Sequence, residues 1–341
     1  MTMEGNMNRN VIIKSIGSYH PKKVLDNKYY LDHFEKVKPE LMEEAKEYFE
    51  ELGREKRMVA DEDENTLTMS IESAKLAMKK ASLTGDDIDI IISATNAPEY
   101  LTPCCAIMLN RALEGSAKVC FDVSCDCISM LHGVDVATKF LRGDKKYKRA
   151  LVVGSYLLNR YSRNDDVITY ATNGDNACAI ILEVSEEKDE RGFMGSVTLT
   201  DSDYAKYFRF PRCGMSKVLD TTIPTYDKLL QWDHFNCDFL ATNWAKIIRE
   251  VLDEKNLVPK DVNHFFMSQF SREELKATMK NLGVSQNKFN FVADKFGYTG
   301  PSSPFLAFHE EIKETNFKKD DINIFCSVGG GYSMTALLYK W

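Results

Sequence analysis

Runs of apolar residues alternate along the chain with segments in which apolar residues recur every three or four positions. The first pattern is typical of buried strands and the second of amphipathic helices. Strands are predicted at residues 11–19, 88–94, 117–123, 149–154, 178–184, 193–199, 264–268, 322–328 and 332–339. Helices are predicted at residues 29–52, 67–81, 103–113, 128–141, 226–252, 272–282 and 304–312. This alternation indicates an α/β fold with a largely parallel, helix-covered sheet.

The second half of the chain repeats the order of elements of the first. In each half a buried strand runs directly into a helix, at residues 123–127 and again at 267–271. The sequence therefore predicts a duplicated βαβ domain, with an N-terminal half at residues 1–185 and a C-terminal half at residues 186–341. Residues 191–226 carry many turn formers and are predicted to make an excursion over an active site.

Composition narrows the class of protein. Apolar residues make up 44% of the chain and charged residues 28%, as in soluble globular proteins. The net charge of −7 argues against a nucleic-acid partner, and no apolar run is long enough for a membrane span. We therefore expect a cytoplasmic protein. The nine cysteines, without paired CxxC spacing, are expected to be reduced thiols rather than disulfides or metal ligands.

One cysteine stands where a strand is predicted to turn into a helix. Cys127 follows the strand at 117–123 and opens the helix at 128–141. The positive end of a helix dipole favours a thiolate, so Cys127 is a candidate nucleophile and the thiol expected to react fastest with iodoacetamide. Free cysteines are also often simply packed in the core, and that alternative stays open for this segment alone.

Three glycines interrupt the penultimate strand at residues 329–331. Successive glycines in a sheet indicate a bulge or a close approach to the backbone. The N–H of Gly330 is therefore a candidate for one half of an oxyanion hole, with the N–H of Cys127 as the other half. A simple β-bulge explains the glycines equally well.

Together these features resemble the thiolase superfamily and, within it, the ketoacyl-acyl-carrier-protein synthase III group. Six ordered motifs carry the resemblance, at residues 17–21, 121–127, 150–155, 174–177, 295–299 and 329–332. The resemblance implies a thiolase-like duplicated fold, layered α-β-α-β-α with mixed five-stranded sheets. It also implies that a coenzyme A or carrier-protein thioester acylates Cys127. In the family, the acyl group then passes to a carbanion formed by decarboxylation of malonyl-carrier protein.

The chain departs from the family at two catalytic positions. Ser268 stands where the family has histidine, and Tyr298 stands where it has asparagine. These two donors stabilise the enolate in the family, so decarboxylative condensation is expected to be very weak here. Gln269 matches the glutamine of the same family motif and is assigned to substrate binding. Of the other histidines, only His234 is considered as a substitute.

The predicted substrate entrance departs as well. Where the family places an aromatic residue and an arginine for the nucleotide of coenzyme A, this chain has an acidic helical stretch with Glu47 and Glu51. Only Arg160 matches a basic contact of the family. Binding of free coenzyme A is therefore in doubt, because its phosphates would meet carboxylates.

Two functions follow from these observations. One is an acyltransferase acylated on Cys127, with an acyl thioester as substrate and no separate cofactor. The other is a catalytically degenerate subunit that supports an intact paralogue. The resemblance further implies a homodimer or heterodimer paired through the strand at 117–123, with Tyr100 or Leu101 reaching the neighbour's acyl pocket. An acyl carrier protein is a further possible partner.

Overall fold

The computed structural model describes residues 7–233 and 237–341. The strands are β1 (Asn8–Tyr19), β2 (Lys23–Asp26), β3 (Lys56–Val59), β4 (Ile90–Ala94), β5 (Val119–Val123), β6 (Arg149–Tyr156), β7 (Asn176–Glu187), β8 (Gly192–Thr200), β9 (Phe208–Arg209), β10 (Gln231–Trp232), β11 (Val262–Met267), β12 (Ile322–Gly329) and β13 (Ser333–Lys340). The helices are α1 (Asn27–Val37), α2 (Met42–Glu51), α3 (Thr66–Ala81), α4 (Cys105–Ala112), α5 (Ser129–Gly143), α6 (Val167–Ala171), α7 (Leu240–Asp253), α8 (Arg272–Leu282), α9 (Ala293–Phe296) and α10 (Ser303–Glu311).

Nine of these strands form one continuous mixed sheet in the order β11-β12-β13-β8-β1-β7-β6-β4-β5. The first half of the chain supplies the predicted five-stranded part. The second half supplies four strands among the described residues rather than five, and a single parallel pairing of Val11 with Gly192 joins the two parts.

The predicted duplication is visible in the strand order. In the first half β4 lies parallel to β6, which is antiparallel to β7, which is antiparallel to β1. In the second half β11, β12, β13 and β8 repeat the same order and directions. Within the described residues the second half has no counterpart of β5. Strand β7 ends at Glu187, two residues beyond the predicted division at 185/186.

Helices lie on both sides of each half-sheet and between the halves. The largest buried cluster joins α5 and α10 to strands of both halves. A second cluster holds α7 and α8 on the outer face of the second half, and a third holds α3 and α4 on the outer face of the first. The resulting order of layers is α-β-α-β-α, as the resemblance implies.

Two predicted helices differ from the structure. The helix predicted at 29–52 is split into α1 and α2, because Pro39 opens a separate 3₁₀ turn at Pro39–Leu41. The helix predicted at 226–252 begins only at Leu240. Its first part instead contains β10, which pairs with β9 and places Trp232 beside Phe208.

Strand β5 lies at one end of the sheet. All five of its residues are only half-buried, in contrast to the fully buried strand β4 beside it. The predicted location of this strand at the sheet edge is therefore confirmed. No helix of the described ranges is long and apolar enough to cross a membrane.

Candidate active site

The candidate nucleophile lies on a tight turn between β5 and α5. Cys127 precedes the first residue of α5 by two positions. Ser129 closes the turn: its hydroxyl accepts the N–H of Cys125 (2.8 Å) and donates to the carbonyl of Asp126 (2.6 Å). Asp126 occupies the left-handed region with φ of 51°, which aspartate tolerates better than most residues. This turn fixes the direction of the Cys127 side chain.

The glycine segment 329–331 of the second half packs directly on this turn. A Cβ atom on Gly330 would lie 2.7 Å from the Phe208 ring and 2.9 Å from a carboxylate oxygen of Asp126. The Ser327 hydroxyl, on β12, donates to the carbonyl of Cys127 at 3.2 Å. The predicted close approach is therefore present, but the neighbour is the nucleophile turn rather than a ligand.

The predicted oxyanion hole is occupied by a side chain of the protein. The N–H of Gly330 donates to the Asp126 carboxylate, which also accepts from Nδ2 of Asn96 at 2.9 Å. The backbone N–H of Cys127 interacts with the same carboxylate. Both donors assigned to an oxyanion are thus engaged by Asp126 in this conformation, and the assignment of the oxyanion hole to Cys127 and Gly330 stays a prediction.

The thiol of Cys127 is not acidified. Burial raises its pKa well above the usual cysteine value, the negative charge of Asp126 raises it further, and only a hydrogen bond from Tyr298 acts in the opposite direction. The side chain lies before the helix and is buried, so the dipole of α5 does not offset desolvation. The expected low pKa, and with it the reason for preferential alkylation, is wrong.

Ser268 and Tyr298, the two positions predicted to depart from the family, lie next to each other, and Tyr298 contacts the sulfur of Cys127. The Tyr298 hydroxyl donates to the Cys127 thiol, and the Ser268 hydroxyl lies 3.5 Å from the Tyr298 oxygen. Both side chains are buried, and burial is the main cause that raises the Tyr298 pKa well above its usual value. A line of hydroxyl, phenol and thiol groups therefore leads from the end of β11 to Asp126.

A narrow apolar cavity of about 60 Å³ opens above Cys127. Trp232 stacks on Phe270 with ring centroids 5.4 Å apart and contacts Phe208 edge-on at 5.2 Å. Leu240 and Tyr332 complete the apolar wall. Phe208 lies within the segment 191–226 that is predicted to cover an active site, and it lines this cavity.

The cavity adjoins a larger vestibule of about 270 Å³ that shares Trp232 and Phe270 as lining. The described residues that line the vestibule include four carboxylates and no lysine or arginine. These carboxylates belong to Glu51, Asp233, Asp238 and Glu274. Burial and the charges of the neighbouring acids raise the pKa of Glu274. The acidic entrance predicted from Glu51 is present, whereas Glu47 does not line it.

Four residues assigned to substrate binding lie outside this cavity. Arg160 donates to the carbonyl of Asp61 (2.7 Å) and lines a separate surface pocket. Gln269 is buried, and its amide bonds the backbone of Met267, Asn290 and Val292. These bonds hold the side chain against the backbone, and its assignment to substrate binding stays a prediction. The other two are exposed on the surface, 46% for Tyr100 and 66% for Leu101.

A buried arginine supports the wall of the cavity. Arg54 donates to the carbonyls of Leu52 (2.7 Å), Thr172 (3.1 Å), Gln269 (3.2 Å) and Phe270 (2.5 Å). It has no carboxylate partner in these bonds, and desolvation lowers its pKa to about 9. Arg54 therefore ties the end of α2 to both halves of the chain and fixes the backbone of Phe270.

Sequence reasoning missed Asp126, Asn96 and Trp232. Asp126 adjoins the predicted nucleophile, but nothing in the sequence indicates that Asn96 and Gly330 converge on it. His234 lies outside the described residues. The described part of the chain contains no group of three or more His, Cys, Asp or Glu side chains that could hold a metal ion.

Comparison with known proteins gives consistent results. The model of the 3-oxoacyl-[acyl-carrier-protein] synthase III family matches residues 121–202, and the model of its C-terminal part matches residues 252–341, together slightly more than half of the chain. The β-ketoacyl-[acyl-carrier-protein] synthase III of Solibacter usitatus is 26% identical over 335 residues, covering 96% of this chain and 98% of that protein.

Two solved structures have the same fold. The crystal structure of 3-oxoacyl-[acyl-carrier-protein] synthase III from Aquifex aeolicus superimposes with a TM-score of 0.84 at 23% identity, covering 97% of this chain and 100% of the other. The priming β-ketosynthase of the R1128 polyketide pathway gives a TM-score of 0.85 at 18% identity, covering 100% and 98%.

Proposed function

Because the chain belongs to the 3-oxoacyl-[acyl-carrier-protein] synthase III family, we propose that it is an acyltransferase whose Cys127 carries the acyl group. Cys127 takes the acyl group from a thioester and passes it to an acceptor in a fatty-acid-like or specialised-metabolite pathway. The observation that carries this proposal is the Cys127 thiol at the inner end of an apolar cavity, with Tyr298 and Asp126 against it. An acyl thioester needs such a cavity for its chain and such a nucleophile for its carbonyl carbon.

The site also limits the donor. The cavity above the thiol is far smaller than the vestibule, so a short acyl group fits beside Cys127. The carboxylates of Glu51 and Glu274 in the vestibule repel phosphates, which disfavours the nucleotide of coenzyme A there. A donor presented by an acyl carrier protein, as the names of the relatives indicate for those proteins, keeps its charged part outside the vestibule.

Intact-protein mass spectrometry tests this function. The protein is incubated with a panel of acyl thioesters of increasing chain length, on coenzyme A, on carrier protein and on N-acetylcysteamine. We expect one acyl adduct per chain, largest for short acyl groups and smaller for coenzyme A than for the uncharged N-acetylcysteamine thioester. Peptide mapping is expected to place the adduct on Cys127. Absence of an adduct from every donor overturns the proposal.

One observation favours a second function. The N–H groups of Gly330 and Cys127, which an acyl oxygen would need, are both engaged by Asp126. A catalytically degenerate subunit that supports an intact paralogue has no need of free donors at this place. Acylation of the isolated chain decides between the two functions, because a degenerate subunit stays unmodified with or without a co-expressed paralogue.

We further propose that the chain dimerises through β5. Strand β5 pairs with β4 along one side, and its other side forms the edge of the sheet among the described residues. Unpaired strand edges invite pairing with another chain. Large apolar side chains are exposed on the elements around it, among them Ile107 at 50% and Phe140 at 38%, besides Tyr100 and Leu101. In a dimer of this kind the loop that carries Tyr100 approaches the second copy.

A charged substitution beside β5 is expected to disrupt this dimer. Ile107→Glu places a carboxylate on the exposed face of α4, next to the edge strand, where pairing would bury it without a partner. Light scattering at micromolar concentration should give a dimer for the unaltered protein and a monomer for this variant. Val258→Glu is the matched control, because Val258 is equally exposed but lies in the second half. A monomeric unaltered protein contradicts the proposal.

A further inference from the structure

The Asp126 carboxylate has one defined position beside the sulfur of Cys127. The Gly330 N–H and Nδ2 of Asn96 hold its two oxygens, and the left-handed backbone of Asp126 directs the side chain toward the cavity that it lines. The carboxylate and the thiol are joined by a side-chain hydrogen bond. Among the described residues that line this cavity, Asp126 is the only one whose side chain can accept a proton at neutral pH.

We propose that Asp126 is the catalytic base of the acyl transfer, and that the acceptor is therefore a nitrogen or oxygen nucleophile that brings its own proton. This inference rests on the proposed function and names the class of acceptor. A carbanion formed by decarboxylation has no proton to give up, so a base beside the thiol serves a different kind of acceptor. The vestibule carboxylates favour an acceptor without negative charge.

The proton and bond changes balance in both half-reactions. In the first, Asp126 takes the proton of the Cys127 thiol as the sulfur attacks the thioester carbonyl carbon; the donor's C–S bond breaks, and its thiolate leaves with the proton from Asp126. In the second, Asp126 takes the proton of the acceptor as its nitrogen or oxygen attacks the acyl carbon. The C–S bond to Cys127 then breaks, and the proton passes from Asp126 to the sulfur.

The environment suits this role. Desolvation raises the pKa of Asp126 above that of an ordinary aspartate, although the bonds from Asn96 and Gly330 act in the opposite direction. The titratable groups that face Asp126 are the thiols of Cys125 and Cys127 and the phenols of Tyr298 and Tyr156. All four have raised pKa values, so each is neutral where Asp126 titrates. A fall in the acylation rate as the pH is lowered, the acid limb of the pH profile, therefore reports the protonation of Asp126.

The variant Asp126→Asn tests the role, because it keeps the shape but removes the base. Acylation by an N-acetylcysteamine thioester should fall by about 100-fold or more, and hydroxylamine should release the acyl group from the variant more slowly. Alkylation of Cys127 by iodoacetamide should instead become faster, because loss of the neighbouring negative charge lowers the thiol pKa. If Asp126 had only a structural role, the rates of acylation and of alkylation would not change in opposite directions.

The variant Asn96→Ala is the matched comparison. It removes a hydrogen bond that lowers the pKa of Asp126 while leaving the carboxylate in place. We expect the acid limb of acylation to move to higher pH in Asn96→Ala and to vanish in Asp126→Asn. Equal acylation rates for the unaltered protein and Asp126→Asn, or an unchanged acid limb in both variants, overturn the inference alone. Absence of acylation in the unaltered protein overturns the proposed function and the inference together.

Discussion

Replacing Cys127 with alanine is expected to abolish the acyl adduct and to lower acyl transfer by on the order of 10⁴-fold or more. The apolar cavity leads to this sulfur, and Asp126 and Tyr298 both form hydrogen bonds with it. Removal of the thiol therefore leaves only binding of the substrate. The measurements are intact mass after incubation with an acyl thioester and the rate of free thiol release.

Cys125→Ala is the matched control for this prediction. Cys125 lies two residues earlier on the same turn and is exposed, and it holds the turn through its backbone N–H and carbonyl. This variant should keep the adduct and the rate. An adduct that persists in Cys127→Ala, or one that disappears in Cys125→Ala, would show that the nucleophile has been misplaced.

The second large effect is a gain of activity. The unaltered protein should release almost no carbon dioxide from malonyl-carrier protein, because Ser268 and Tyr298 are predicted to stand where the family has histidine and asparagine. The double variant Ser268→His, Tyr298→Asn should raise this release by about 100-fold or more, since each such donor is typically worth 10² to 10³ in rate. The two side chains touch at 3.5 Å, so the larger residue at 268 takes the space that Tyr298 vacates.

The single variants provide the controls. Tyr298→Asn alone leaves a buried cavity, and Ser268→His alone crowds Tyr298, so each should melt at a lower temperature than the double variant. Rapid decarboxylation by the unaltered protein would mean that Ser268 and Tyr298 do not occupy the family's catalytic positions. A folded double variant without any gain would mean that another group limits the reaction.

Much of the architecture could be predicted from local patterns. Buried strands such as β4 and β12 are continuous apolar runs, and the turn before α5 is a strand running directly into a helix. The glycines at 329–331 also predicted a close approach to the backbone of that strand. These features are encoded within about ten neighbouring residues, which is the distance over which a hydrophobic period or a turn residue carries information.

The remainder depends on contacts between distant segments. Asn96 and Gly330 meet at Asp126 from 30 residues before it and 204 residues after it. The sequence did not indicate that the two N–H groups assigned to the oxyanion hole would be engaged by Asp126, a side chain of the nucleophile turn itself. The first part of the helix predicted at 226–252 was wrong because Leu230 and Trp232, two residues apart as on a strand, are buried against the cavity wall rather than on a helix. The prediction of a low pKa for the Cys127 thiol was wrong because the effect of burial outweighs that of the α5 dipole.

The bonds of Arg54 make the two sides of the cavity unequal in stiffness. The Phe270 side cannot move away without breaking the hydrogen bonds from the buried Arg54 guanidinium to the carbonyls of Gln269 and Phe270. The opposite side rests on the two-residue pairing of β9 with β10, which has few bonds to lose. We therefore expect smaller residues at Phe208 or Trp232 to make room for a longer acyl chain. A smaller residue at Phe270 would instead disturb a wall whose backbone Arg54 holds in place. The acyl chain length that this protein accepts is thus expected to depend on the β9–β10 side of the cavity.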